Sequence, residues 1–204
     1  NCKPIELKDI KIIYKGEKEI PVIVALDGQL ITPKRMVLPK VVNDEIVTDV
    51  DQDILKMVVV NRYHPAPVAK AFIKNIGLKK GALASTVAHD SHNIVAVGTT
   101  DEEIVAAVNA LVKCGGGVSA VHQNESHVIE LPVAGLMSTK NGYEVAEAYT
   151  NIDRFAKNIL GSTLASPFMT LSFMALLVIP HLKLSDKGLF DGDQFALIPD
   201  LNHG

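Results

Sequence analysis

The chain has 204 residues, 20 basic against 23 acidic side chains, a net charge of -3 and 48% hydrophobic residues. That is apolar material for one sizeable core or two small ones, and the balanced charge, with no Lys/Arg run longer than two, excludes the electrostatic footprint of a nucleic-acid or anionic-membrane binder. The longest apolar stretch, Phe168 to Ile179, carries Thr170 and Ser172 and falls short of the roughly 18 residues a bilayer span needs, while two cysteines, Cys2 and Cys114, point to a reducing cytoplasm rather than a disulfide scaffold.

The N-terminus, Asn1-Cys2-Lys3-Pro4, has neither an initiator Met nor a leader pattern and reads as a cut inside a longer chain. The next residues are strand-like: Asp9 to Tyr14, Ile20 to Leu26, Met36 to Val42 and Asp53 to Val60 are β-branched runs separated by Gly16, Asp27-Gly28 and Asn43-Asp44. Pro67 suits the first position of a short helix in which Val68, Ala71, Phe72 and Ile76 share a face, with Gly77 as its stop. Gly81 to Ala88 and Asn93 to Thr99 read as strands flanking His89-Asp90-Ser91-His92.

Thr100 with Glu103 forms a capping-box pattern ahead of the apolar stripe Ile104, Val105, Val108, Leu111 and Val112, and Gly115 stops that helix. Val118 to Val121 and Val128 to Val133 suggest a hairpin around Asn124-Glu125. Asn141 with Glu144 caps a long helix carrying Val145, Tyr149, Ile152, Phe155 and Ile159 on one face before Gly161. Ser166-Pro167 opens a helix expected to run to Ile179, apolar nearly all round and therefore buried. The tail after Pro180 is mixed, and fraying is expected at Asn202-His203-Gly204. The pattern is α/β of the α+β kind: a strand-rich N-terminal part, then a mixed sheet with helices packed mainly on one face, and no TIM barrel, which needs about 250 residues.

The cluster that invites chemistry is His89-Asp90-Ser91-His92-Asn93. Imidazole and carboxylate are metal ligands and acid/base groups near neutral pH, yet Asp, Ser and Asn also bond to nearby backbone and build ordinary turns. His89, Asp90, Ser91 and His92 are the catalytic candidates, and His89 and His92 the weak metal candidates, because HxxH between strands lacks the fixed geometry of a helical HExxH. His122 and His127 can face each other across the hairpin as a cross-strand pair. Phe168, Met169, Phe173 and Met174 can line a purine pocket or simply fill the core. Gly115-Gly116-Gly117 follows a helix, so it caps rather than cradles phosphate. No GxGxxG, GxxxxGK[ST] or GxSxG occurs, and the zinc deaminase H-x-E with P-C-x-x-C is absent.

Three stretches carry a resemblance: Gly81 to Asn93 (GALASTVAHDSHN), Leu131 to Ser138 (LPVAGLMS) and Ser166 to Pro180 (SPFMTLSFMALLVIP). In order and spacing they resemble the C-terminal domain of the adenine deaminases of the amidohydrolase superfamily, with the likeness running from about Asp53 to Phe195. The resemblance implies a hydrolase of purine salvage that converts adenine to hypoxanthine and ammonia, its divalent metals (manganese or iron) held by a (β/α)8 barrel whose HxH pair this chain lacks. It implies residues 1–50 as the segment joining that barrel and 51–204 as the C-terminal domain, with no metal in this part. The implied partners are the protein's own barrel, adenine and further copies in a homo-oligomer. His89, Asp90, Ser91 and His92 would then stand near the substrate, with Asn93, Met169 and Phe173 on its side; the alternatives are a purely structural domain that dimerises through the helix from Pro167 to Ile179, or a self-sufficient small metallohydrolase using His89, Asp90 and His92.

Overall fold

Asp9 accepts a hydrogen bond from the backbone N–H of Glu6 at 2.8 Å, and this reciprocal turn winds Leu7–Ile10 into a one-turn helix, α1, where a strand was expected. Only Ile13 beyond it makes a strand-like bridge, to Glu45. The computed structural model describes residues 2–198. Strand β1 is Ile20–Val24. The expected strand from Met36 to Val42 is two, β2 (Lys34–Val37) and β3 (Lys40–Val42), because Leu38-Pro39 interrupts the ladder with a residue that has no N–H. Asn43 and Asp44, both left-handed with φ 50 and 60, turn β3 into β4 (Glu45–Val47).

Strand β5 (Ile54–Val60) is buried along its whole length. The residues read as a helix after Pro67 are instead strand β6 (Ala69–Lys74), antiparallel to β5 and parallel to β1. The same side chains satisfy both periods, and context decides. Bridging two strands buries Ala69, Ala71, Phe72 and Ile73, and at about 2 kcal/mol for each large apolar side chain this outweighs helix propensities worth about a few tenths per residue.

Strands β7 (Ala82–Ser85) and β8 (Ile94–Gly98) flank the histidine-bearing turn as expected. Helix α2 (Asp101–Cys114) is capped by Thr100 and closed by Gly115 in the left-handed region. The hairpin follows as β9 (Gly117–His122) and β10 (Glu125–Glu130), turning at Gln123-Asn124. Asn141 caps α3 (Gly142–Arg154) by accepting from Tyr143 and Glu144, and a π-helical turn, Phe155–Ile159, extends it. Helix α4 (Pro167–Phe173) ends six residues before the expected Ile179. The carbonyl of Met174 accepts from Leu184 of the next strand, so it is not available to prolong the helix. The mixed tail folds into a small antiparallel sheet of β11 (Leu182–Ser185), β12 (Gly188–Asp191) and β13 (Ala196–Leu197). The terminal residues expected to fray, 202–204, lie outside the described residues.

The main sheet has eight strands in the order β10-β9-β7-β8-β5-β6-β1-β2, antiparallel except at β1·β6, and it does not close into a barrel. Strands β1 and β2, from the first 50 residues, are part of it. The helices divide between its faces rather than gathering on one. Ile104, Ala107, Val108 and Leu111 of α2 pack on Val58, Val60, Ala82, Ala84 and Ala96. Met57, Val59, Leu83, Val95 and Val97 point the other way, against Ile152, Phe155, Phe168, Leu171 and the small sheet. The two faces follow from the period of two along each strand. Among the described residues no helix is long and apolar enough to cross a membrane.

Candidate functional site

One end of the main sheet collects the loops after β5, β7, α2 and β10. The first and last of the three recognisable stretches meet there. The backbone N–H of His89 donates to Ser172 O at 2.9 Å, and the imidazole lies on the ring of Phe173 with centroids 4.6 Å apart. The first and second meet at Thr86, whose hydroxyl donates to Gly135 O at 2.5 Å and accepts from Gly117 N at 2.8 Å. Residues far apart in sequence thus build one continuous surface.

Within the turn, Ser91 and Asn93 do the local work that these residue types favour. Asn93 N donates to Ser91 Oγ at 3.4 Å, and the buried Asn93 side chain accepts from Arg62 N at 3.3 Å. Asp90 and Ser91 are exposed at the tip, and His89 is half-buried. His92 has a left-handed backbone (φ 53), and its N–H closes the turn on Ala88 O at 2.7 Å. Its Nδ1 is buried with no hydrogen-bond partner, the one such side-chain atom among the described residues. A buried polar atom left unmatched costs about 1–3 kcal/mol.

The rings of His89 and His92 stand 6.4 Å apart at 67°. Among the described residues no group of three or more His, Cys, Asp or Glu side chains is placed to hold a metal ion. Met169 is 52% exposed beside Ser172, its sulfur 3.9 Å from the hydroxyl, while Phe173 is half-buried under His89.

His122 and His127 do not pair across the hairpin. His122 stands opposite Glu125, and its Nδ1 bonds Glu103 at 2.6 Å; His127 stands opposite Ala120 and stacks on Phe155 at 4.3 Å. The capping box is likewise incomplete, since Glu103 turns away from Thr100 to accept from Gly81 N and the Thr99 hydroxyl, at 2.7 and 2.9 Å.

The segment Asn61-Arg62-Tyr63-His64, which motif reading passes over, is the hub of this end. Asn61 Oδ1 accepts from the N–H groups of Tyr63 and His64, both at 2.9 Å, and its amide donates to Asp186 at 2.8 Å. Its signal in the sequence is the abrupt change from an apolar strand to four polar or aromatic residues ending at Pro65. Beside it lie two clefts. One, of about 360 Å³, is lined by Ile5, Asn61, His64, Pro67 and Val68; the other, of about 290 Å³, by Arg62, Tyr63, Thr86, Gly116 and Gly135.

A family model described as the adenine deaminase C-terminal domain matches residues 29–196. The chain belongs to that family. Over 97% of its length it is 50% identical to the adenine deaminase of Methanosarcina mazei, 54% to that of Methanosarcina barkeri and 44% to that of Borreliella burgdorferi. It spans 38%, 37% and 36% of those relatives, a little over a third of their length. The match of this adenine deaminase C-terminal domain contains all three stretches that meet at the loop end.

Proposed function

We propose that this chain is the C-terminal domain of an adenine deaminase, a hydrolase taking adenine and water to hypoxanthine and ammonia, and that its loop end covers the active site of a separate catalytic barrel. The observation that carries the reading is that the three stretches within the family match converge on this end, His89 bonding Ser172 and Thr86 bonding Gly135. In this role the turn His89-Asp90-Ser91-His92 presents imidazole, carboxylate and hydroxyl to the purine side, and the stacked pair His89 and Phe173 excludes water.

Divalent metal, manganese or iron, would be held by the barrel and supply hydroxide at neutral pH by lowering the pKa of bound water towards about 7. Dimerisation through the helix after Pro167 finds less support, because Phe168, Leu171, Met174 and Ala175 are spent inside this chain's own core. The test compares the 204-residue chain with the complete deaminase by the ultraviolet change on adenine hydrolysis and by metal analysis. Turnover and metal only in the complete enzyme are expected; turnover by the 204-residue chain unaided would overturn the reading.

A further inference from the structure

Arg62 touches two separate turns of the loop end. Its backbone N–H donates to Asn93 Oδ1 at 3.3 Å, and its guanidinium donates to Ala134 O in the turn after β10. The same guanidinium lies 5.2 Å from the ring of Tyr63, whose hydroxyl reaches His92 O at 3.5 Å. Among the described residues no carboxylate lies within ion-pair distance of Arg62, so its charge is spent on a backbone carbonyl rather than on an acid.

The turn it holds needs a holder. Ala134 and Gly135 are both left-handed, with φ 59 and 74, a conformation that costs a non-glycine residue about 1–2 kcal/mol. Gly135 also packs so closely on the guanidinium that a Cβ there would overlap Nη1, and one at Gly116 would come within 2.9 Å of it. A planar fork that stacks on an aromatic ring while donating sideways is what Arg offers and Lys does not.

We infer that Arg62 is a positioning residue, locking the His89–His92 turn and the Ala134-Gly135 turn into one surface so that they act on the substrate side as a unit. The inference rests on the proposed placement of this surface over the active site. Its structural half is read without turnover, by hydrogen exchange in the complete deaminase. Arg62→Ala speeds amide exchange in residues 86–93 and 132–137 together by about tenfold, the size that losing a coupling between residues in contact gives, while Gly81 and Glu103 at the far end keep their protection. Arg62→Lys restores only part of it.

A second variant guards against simple misfolding. Gly135→Ala lowers the melting temperature with Arg62 present and lowers it less in Arg62→Ala, because the added methyl no longer meets the guanidinium. In kinetics, kcat falls more than KM in Arg62→Ala, with partial recovery in Arg62→Lys. Exchange that quickens in one loop alone, or strictly additive melting temperatures, would overturn the lock. Coupled exchange with unchanged kcat would overturn the role in the reaction and the active-site placement, leaving the lock itself standing.

Discussion

The imidazole of His89 rests on the ring of Phe173, centroids 4.6 Å apart and planes tilted by 33°, and so joins the turn after β7 to the end of α4. The contact seats the imidazole in a half-buried site. Phe173→Ala is expected to lower kcat/KM for adenine in the complete deaminase about as much as His89→Ala does, since each removes the same ordered ring pair. The double variant should be no worse than the poorer single one, because partners in one contact are not additive. Steady-state kinetics on the three variants decides this, and strictly multiplicative losses would count against it.

Glu103 gathers three partners from three elements: Gly81 N, the Thr99 hydroxyl and His122 Nδ1. Glu103→Ala leaves them unmatched at a site where the carboxylate side chain is only 14% exposed, and a loss of about 3 kcal/mol in urea unfolding is expected. Glu103→Gln keeps the acceptor oxygen and should lose less.

Lys56 is buried in the central strand with its side chain 2% exposed, and its ammonium donates to both carboxylate oxygens of Asp101 at 2.6 and 2.8 Å. Breaking the pair from one side strands a buried charge, so Asp101→Ala should cost about 3 kcal/mol or more. Replacing the charge instead, with Lys56→Met, should cost much less. Equal losses in the two variants would contradict this.

Lys183 is fully buried in β11 and donates to Leu30 O at 2.7 Å, and burial pushes its pKa down from 10.5 to about 8. The folded state therefore binds the proton less well than the unfolded chain does. This group's penalty is complete below pH 8 and relieved as pH rises from 8 to 10.5, by about 3 kcal/mol at most. Lys183→Met should be more stable than the parent at pH 7, with the gap narrowing over that window. Thermal melts at pH 7, 9 and 10.5 check the sign.

Where one local rule acted alone, the sequence was legible. Thr100 and Gly115 bound α2, Asn141 caps α3, and β5 shows as an unbroken apolar run. Where two rules fitted the same residues, the outcome came from distant partners. Val68 to Ile76 satisfies a helical stripe, yet β5 and β1 each needed a neighbouring strand. Met174 could have continued α4 until Leu184 took its carbonyl. At the site, the polar turn was visible from its composition, as was the turn-building role of Ser91 and Asn93. The hub at Arg62 was not, since its partners Asn93 and Ala134 lie 31 and 72 positions away and no local pattern records them.

The central claim is that this loop end completes an active site, and His92→Ala in the complete deaminase tests it most directly. Among the described residues nothing bonds His92 Nδ1, so the variant gives up no hydrogen bond there and should stay folded, while kcat/KM for adenine falls by about tenfold or more, the size of one lost hydrogen bond to a reacting group. Unchanged kcat/KM in a folded variant would contradict the account.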